Sequence, residues 1–545
     1  MNATKDTKGA VKRSGRVNIE LILTVVAAVV LATVTVYVIY LGFAYYWDEL
    51  HSDIAVDLAF VREAAYQGTL FPEGWPHLRE LRFIHLTTII LWVYQLTGDI
   101  NRSYPIAVAI TLLLNVYLFY YMLSYRKRHV LPIIIGFTVL LMLFSRYDNH
   151  SVFSFTIFSL LFTNGSLALS LATIFLTIGA YMRIKSGVAK GKFATIALWT
   201  ISPLVALVQG IQSNRMLIGL YLPMLVVECY PLLISAVQDK DFHFKKIEKS
   251  TLFTGICFLC TLAGVALTLI LMRTDVIMSA RPGTTSELSV VMHTQVWDRM
   301  QSFVPELLLA LGLPGGINIF SLAGMLYVGR VLAIIAFATL FLKTSIKHDS
   351  DSPIVKIAFA SICALSIAMV GMQVSIYERY IFTIVLLFGV IATMVVENFM
   401  QNKRRILSCI ACGFIFLVVT LSVNQLGFEP RESLVNDRQN VADFILAQGF
   451  TVGYGSFVHG PVIAAVGDFE FDVIPVNIPS LSPFLHGITT DVFEHDEENT
   501  FLIIPNWNVS RILENNQGAA ILAQGERHDF SGGWVVWTFD HNPFR

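Results

Sequence analysis

Directly beyond its first long apolar stretch the chain reads YYWDELHSDIAVDLAFVREAAYQG, and carboxylates crowd into it: Asp48, Glu49, Asp53, Asp57 and Glu63. Asp53 and Asp57 stand four residues apart, so on a helix they share one face, while Val56 and Phe60 share a neighbouring one. A carboxylate at the mouth of a membrane span can act as a general base toward a substrate held at the membrane surface. The same cluster also reads as a solvated acidic loop that caps a helix. Positive charge of the kind that binds anions is offered by Arg379 in SIYERYIF, Arg215 in QSNRMLIG and Arg281 further along. An arginine at a span edge either grips an anion with its bidentate fork or snorkels to the interface. Glu378 and Tyr380 beside Arg379 favour a built site there.

The elements that must position these groups are membrane spans. Hydrophobic residues make up 55% of the 545-residue chain and charged ones only 14%, against roughly 25% charged in an ordinary soluble domain; mean hydropathy is +0.64. Apolar runs near the roughly 20 residues needed to cross a hydrocarbon core recur along the chain. They predict an all-α polytopic protein of about eleven transmembrane helices, at 21–44, 104–124, 130–145, 156–182, 193–211, 215–236, 251–272, 323–342, 354–374, 380–399 and 406–424. The first run is too long for a signal peptide and meets YYWDE instead of a small-residue cleavage site, so it reads as an uncleaved span. The net charge of −1 offers no field to attract nucleic acid.

Basic loops set the orientation. The N-terminus (1–20), Arg126-Lys127-Arg128, Arg183 to Lys192, Lys240 to Lys249, Lys343 to Lys356 and Lys403-Arg404-Arg405 all fall on one side of the eleven-span reading. The positive-inside rule puts that side in the cytoplasm. The membrane domain then covers 21–426, with long outer loops at 45–103 and 273–322, and the outer C-terminal domain covers 427–545. Within the first loop, residues 83–97 (FIHLTTIILWVYQLT) are too short and interrupted to span and read as an interfacial helix. The tail predicts a small α/β domain, helical at Val441–Gln448 and Val509–Glu514, with strands at TVGYG, Phe471–Val476, TFLIIP and GGWVVWTF.

Other motifs carry less. All six cysteines lie inside apolar segments, where they read as small packing residues and offer no disulfide framework. His51, His77, His85 and His293 have no zinc-site spacing. The glycines of LGLPGGIN follow no strand and form no phosphate loop.

The first 125 residues resemble the GT-C superfamily of membrane glycosyltransferases, which includes the protein O-mannosyltransferases (glycosyltransferase family 39) and the bacterial aminoarabinose transferase. The resemblance rests on the acidic start of the first outer loop, a helical run, Gly68, Leu70-Phe71-Pro72, GWPHLREL, the 83–97 helix and Gly98-Asp99. The literal Asp-Glu pair is Asp48-Glu49, but the spacing to Gly68 and Pro72 makes Asp53 the equivalent of the family's acidic residue. The resemblance implies an enzyme that transfers a sugar from a polyprenyl-phosphate-linked donor to a glycan, lipid or protein acceptor on the outer face of the plasma (inner) membrane. Asp53 is then the expected base with Asp48 second, supported by Glu49, Asp57 and Glu80. Arg379, Arg215 and Arg281 are the expected contacts to the donor phosphate. A divalent metal, Mg or Mn, held by carboxylates and phosphate is compatible with the family but not required.

Three competing readings have distinct signatures. A transporter or lipid-linked-sugar flippase would place ionisable groups near mid-membrane, and only Glu228 and Glu397, both near cytoplasmic ends, come close. A polysaccharide polymerase or ligase would not ordinarily carry a folded C-terminal domain. A scaffold presenting 427–545 would leave the acidic loop unexplained.

Overall fold

The computed structural model describes residues 19–44, 47, 50–77, 81–125, 129–142, 165–188, 192–212, 214–239, 247–274, 293–310, 320–321, 325, 328, 332, 352–371, 383–401, 435–494 and 498–544. The helical part runs α1 (Ile19–Ala44), α2 (Ser52–Gln67), α3 (Leu86–Thr97), α4 (Ile100–Leu123), α5 (Val130–Met142), α6 (Gly165–Lys185), α7 (Lys192–Gln212), α8 (Leu222–Asp239), α9 (Lys249–Arg273), α10 (His293–Ala310), α11 (Ser352–Gly371) and α12 (Thr383–Gln401). A π-helical segment, Leu217–Tyr221, leads into α8.

Among the described residues seven helices are long and apolar enough to cross a membrane: α1, α4, α6, α7, the π segment with α8, α9 and α11. They fall on seven of the eleven expected spans. The third expected span forms α5, with 13 helical residues, about 20 Å at 1.5 Å per residue and so short for a perpendicular crossing. The tenth lies over α12. Of 323–342 only isolated helical positions are described, and 406–424 lies outside the described residues. The interfacial stretch begins its helix at Leu86 and has 12 helical residues, about 18 Å and well below a hydrocarbon core.

Lipid tails are as apolar as leucine, so helices in a bilayer associate through close backbone approach and side-chain hydrogen bonds. Helices α7 and α9 show both. A Cβ placed on Gly264 would lie 2.2 Å from the Leu207 carbonyl oxygen, and one on Gly210 would lie 2.1 Å from that of Thr261. Thr268 Oγ1 donates across the same crossing to the Ile211 carbonyl at 2.7 Å. Asn115 Nδ2 of α4 donates to the Ala168 carbonyl of α6 at 3.2 Å.

Glu228 explains itself in this packing. Its side chain is 3% exposed and accepts from the Tyr181 hydroxyl, Lys185 Nζ at 2.6 Å, Ser250 Oγ at 2.8 Å and Thr251 Oγ1 at 3.0 Å. One carboxylate thus ties α6, α8 and α9 together, with its oxygens committed to neighbours. Removing one member of such a buried ionic set leaves the other members uncompensated, at a cost of about 3 kcal/mol. Glu228→Ala should therefore show a clear drop in thermal midpoint in detergent, and Glu228→Gln a smaller one. An unchanged midpoint in both would mean that the knot contributes nothing to stability.

The C-terminal part holds α13 (Val435–Ala447), β1 (Val452–Ser456), α14 (Gly460–Val466), β2 (Asp472–Val476), α15 (Thr490–Glu494), β3 (Thr500–Pro505), α16 (Asn506–Leu513), α17 (Asn516–Leu522), β4 (Glu526–Phe530) and β5 (Trp534–Phe539). The sheet order is β2-β1-β3-β5-β4, with β2, β1 and β3 parallel and β5 and β4 antiparallel. β1 and β3 are buried along their whole length, as central strands covered on both faces must be. One face, with Val452, Tyr454, Leu502, Ile504 and Val535, packs on Ile512, Ile521 and Leu522 of α16 and α17. The other continues into the membrane-domain core: Val536, Ile503 and Ile463 share one buried cluster with Leu58 and Phe119.

That docking is specific. Arg438 of α13 donates to the Trp47 and Leu50 carbonyls at 2.7 and 3.2 Å. Arg62 of α2 donates to the Phe469 carbonyl, and Asn101 Nδ2 donates to Asp468 Oδ1 at 2.6 Å. The Thr490 N–H donates to the Gly74 carbonyl at 3.0 Å. Gly74 has a φ of +73°, and a Cβ there would stand 2.7 Å from Thr490 Oγ1, so both conformation and space demand glycine.

Candidate active site

Helix α2 begins and ends on identifiable residues. His51 is its N-cap, and the imidazole Nδ1 accepts from the Asp53 backbone N–H at 3.1 Å. Gly68, at φ +66°, closes it, its N–H reaching the Ala64 and Ala65 carbonyls, which is the left-handed stop that glycine supplies. The fifteen-residue spacing from Asp53 to Gly68 is thus the length of one capped helix. Helix α3 repeats the device: His85 Nδ1 accepts from the Thr87 N–H at 3.3 Å, and Gly98 ends it with an N–H to the Tyr94 carbonyl at 2.8 Å. Asp99 then caps α4 through the Arg102 N–H at 2.9 Å.

Burying Ile54, Ala55, Leu58 and Val61 leaves Asp53 outward and Asp57 only partly so. Asp53, in the first turn, is exposed, at the helix end whose dipole favours a carboxylate. Asp57 follows one turn later with its side chain 18% exposed and pairs with Arg82 Nη2 at 3.1 Å. Burial pushes its carboxyl up to about 6; Arg82 opposes that rise, and the neighbouring charge of Asp53 adds to it. A carboxyl whose folded pKa exceeds its unfolded value binds its proton more tightly in the folded state. Asp57 therefore costs stability as pH rises from about 4 to about 6. The stability difference between wild type and Asp57→Asn should slope across that window and flatten above it, as read from denaturation at closely spaced pH. A flat difference would place Asp57 in an ordinary aqueous environment.

Arg82 is held in place from several sides. Its guanidinium carbon lies 4.6 Å from the Phe60 ring centroid, and its carbonyl accepts from Thr88 Oγ1 at 3.1 Å. Its Nη1 is buried without a hydrogen-bond partner among the described residues. Two residues on, the Ile84 N–H donates to Gln212 Oε1 at 3.0 Å, which ties this segment to the end of α7. Arg215, half-buried, follows three residues later at that same end of the bundle. Beneath Arg82, the His77 ring contacts Phe60 and Phe71 at 6.1 and 5.9 Å. Burial, with Arg82 assisting, pushes the His77 imidazole down to about 4, so at neutral pH it is an uncharged packing group.

Of the residues expected to form the site, Asp53 and Asp57 lie one turn apart on α2, and Arg215 lies three residues beyond Gln212, which accepts from the Ile84 N–H in the segment that follows Arg82. Asp48, Glu49, Glu80, Arg281 and Arg379 lie outside the described residues. Among the described residues no three His, Cys, Asp or Glu side chains converge as a metal site. The sequence offers Arg82 only as a flanking charge, and His51 and His85 only as hydrogen-bonding groups, which is the part both play as caps. Their signal was positional: each histidine directly precedes a helix.

No protein-family model matches the sequence, and no curated protein matches it. Among solved structures the chain is similar to the crystal structure of ArnT from Cupriavidus metallidurans bound to undecaprenyl phosphate. The similarity has 12% identity and a TM-score of 0.51, and covers 94% of this chain and 97% of that one. The likeness of fold covers nearly the whole chain and so extends well beyond the first 125 residues that carry the sequence resemblance; the polytopic helical part and the small C-terminal α/β unit are both as expected.

Proposed function

We propose that the chain is a membrane glycosyltransferase that moves a sugar from a polyprenyl-phosphate carrier to a glycan, lipid or protein acceptor on the outer face of the plasma (inner) membrane. The observation that carries this reading is an exposed carboxylate, Asp53, one helical turn from Asp57, whose partner Arg82 keeps an Nη1 without an acceptor among the described residues. The likeness to a protein crystallised with undecaprenyl phosphate supports the class of donor.

Asp53 takes the proton from the acceptor hydroxyl as that oxygen attacks the anomeric carbon of the donor. The bond from that carbon to the phosphate oxygen breaks, and its electron pair leaves on the phosphate. Arg82 neutralises the charge that develops there, where preorganised donors act most strongly. Arg215 and, as the sequence resemblance implies, Arg379 and Arg281 are the further candidate phosphate contacts. The products are the glycoside, the polyprenyl phosphate and a protonated Asp53, which returns its proton to water. No step requires a metal. The commitment of Glu228 to four neighbours weighs against the transport reading, since that carboxylate is not free to carry cargo.

The test is sugar transfer by the purified protein in liposomes, with a panel of radiolabelled polyprenyl-phosphate sugars as donors and membrane glycolipids as acceptors. Transfer or donor hydrolysis with at least one donor is the expected result. Protein shown to be folded that processes no donor would overturn the proposal in favour of transport or scaffolding.

A further inference from the structure

In the C-terminal sheet the chain leaves β1 toward β2 on one side and leaves β3 toward β5 and β4 on the other. Between the carboxyl ends of β1 and β3 the connections therefore diverge, and open α/β sheets bind ligands in the crevice formed at such a point. Here the residues after β1 are Phe457, Val458 and His459, and those after β3 are Asn506 and Trp507. The His459 ring sits edge-on to Trp507 at 5.7 Å and to Trp534 of β5 at 5.2 Å. Trp507 nevertheless remains 62% exposed, an unusual position for so large an apolar ring. Ser456, the last residue of β1, is 5% exposed, and its Oγ has no hydrogen-bond partner among the described residues. A hydroxyl so buried ordinarily finds one.

The segments that flank the crevice carry no formal charge of their own, and the Arg527 guanidinium that reaches Asn506 Oδ1 at 3.3 Å is paired with Asp529 Oδ1 at 2.6 Å. Residues 456–460 and 505–508 carry no Asp, Glu, Lys or Arg. Burial, with the Arg438 charge assisting, pushes His459 down to about 4, so it too is uncharged at neutral pH. Arg438 spends Nη1 on the Trp47 and Leu50 carbonyls. An exposed indole face, an imidazole and a spare hydroxyl without formal charge suit a ligand with flat C–H faces and many hydroxyls.

The same edge looks toward α2. Phe457 contacts His486 at 4.6 Å, and the next residue, Gly487, lies against Val56, where an added Cβ would stand 2.7 Å from Val56 Cγ2. Val56 is one helical turn from Asp53. We infer that the crevice between the carboxyl ends of β1 and β3, with Trp507 as its stacking face and His459 and Ser456 as its polar groups, binds a carbohydrate: the acceptor glycan of the transfer reaction. The acceptor role rests on the glycosyltransferase reading above; the carbohydrate site does not.

The experiment uses the full chain in detergent, applied to an array of neutral, amino and acidic oligosaccharides. Wild type and Asp53→Asn should bind the same glycans. Trp507→Ala and His459→Ala should weaken that binding at least tenfold, while Trp507→Phe, which keeps a ring, and Tyr66→Ala, remote on α2, should remain near wild type. In the transfer assay Trp507→Ala should raise the acceptor KM and leave donor hydrolysis by water unchanged. Wild type that binds no glycan, or Trp507→Ala that binds as well as wild type, overturns the crevice while leaving transfer activity to stand. Crevice-dependent glycan binding in a protein that processes no donor keeps the carbohydrate site and removes both the acceptor role and the enzyme.

Discussion

Asp53→Asn should lower sugar transfer by about 10²–10⁴-fold, the usual contribution of a positioned general base, with donor binding changed little. The substitution is close to isosteric and removes charge alone. Asp53 is exposed, and substitutions at such positions usually shift stability by no more than about 0.5 kcal/mol. The His51 cap survives it, because the imidazole accepts from the backbone N–H of residue 53 and not from its side chain. The weakened interaction with the helix dipole costs only about 0.3–1 kcal/mol. A loss of that size with an unchanged unfolding midpoint is therefore chemical in origin. Asp48→Asn is the informative companion, because Asp48-Glu49 is the literal acidic pair. Transfer lost in Asp48→Asn and kept in Asp53→Asn would move the base five residues back along the chain.

How much of this was legible in the sequence depends on what each residue had to touch. Helix α2 could be read because its apolar positions, its acidic face and its closing Gly68 are all local. The central strands of the tail could be read for a similar reason: TFLIIP and WVVWTF are apolar runs of strand length between turn residues. β4 escaped because ERHDF is an edge strand with no buried residue, three of its five exposed and charged, which is how edges are protected and why they lack a buried pattern. Helix α14 escaped because GPVIAAV is short and opens on Gly-Pro. Its placement depends on contacts far from local: a Cβ on Gly460 would lie 2.6 Å from Val473 Cγ1 and 3.3 Å from the Gly455 Cα.

The histidine caps illustrate a different limit. Ser, Thr, Asp and Asn are the residues expected at a helix N-terminus, so His51 and His85 carried no recognisable start signal. Both nevertheless do the same work of satisfying the second helical N–H. Arg82 was hidden for a third reason. Its partner Asp57 lies in the preceding helix, and the ring it covers, Phe60, is buried in the core beneath. Nothing in LRELRFIH separates Arg82 from Arg79 until the loop is folded.

That placement makes Arg82 the second decisive residue. Arg82→Ala should remove about 10²–10³ of the transfer rate, the loss typical when one preorganised donor to a developing oxyanion is deleted. Arg82→Lys should recover little of it, because an ammonium cannot offer a planar fork to Asp57 and the phosphate together. A purely structural role would give a superficially similar result, since deleting Arg82 leaves Asp57, 18% exposed, without its cation. The two are separable by combining Arg82→Ala with Asp57→Asn. The second change removes the unpaired carboxylate, so the thermal midpoint should return toward that of Asp57→Asn alone, a coupling expected of groups in direct contact. Transfer should stay lost in the double variant, because the leaving phosphate still lacks its guanidinium. Transfer that returns along with stability would reduce Arg82 to a clamp on α2 and hand the phosphate to Arg215 or Arg379.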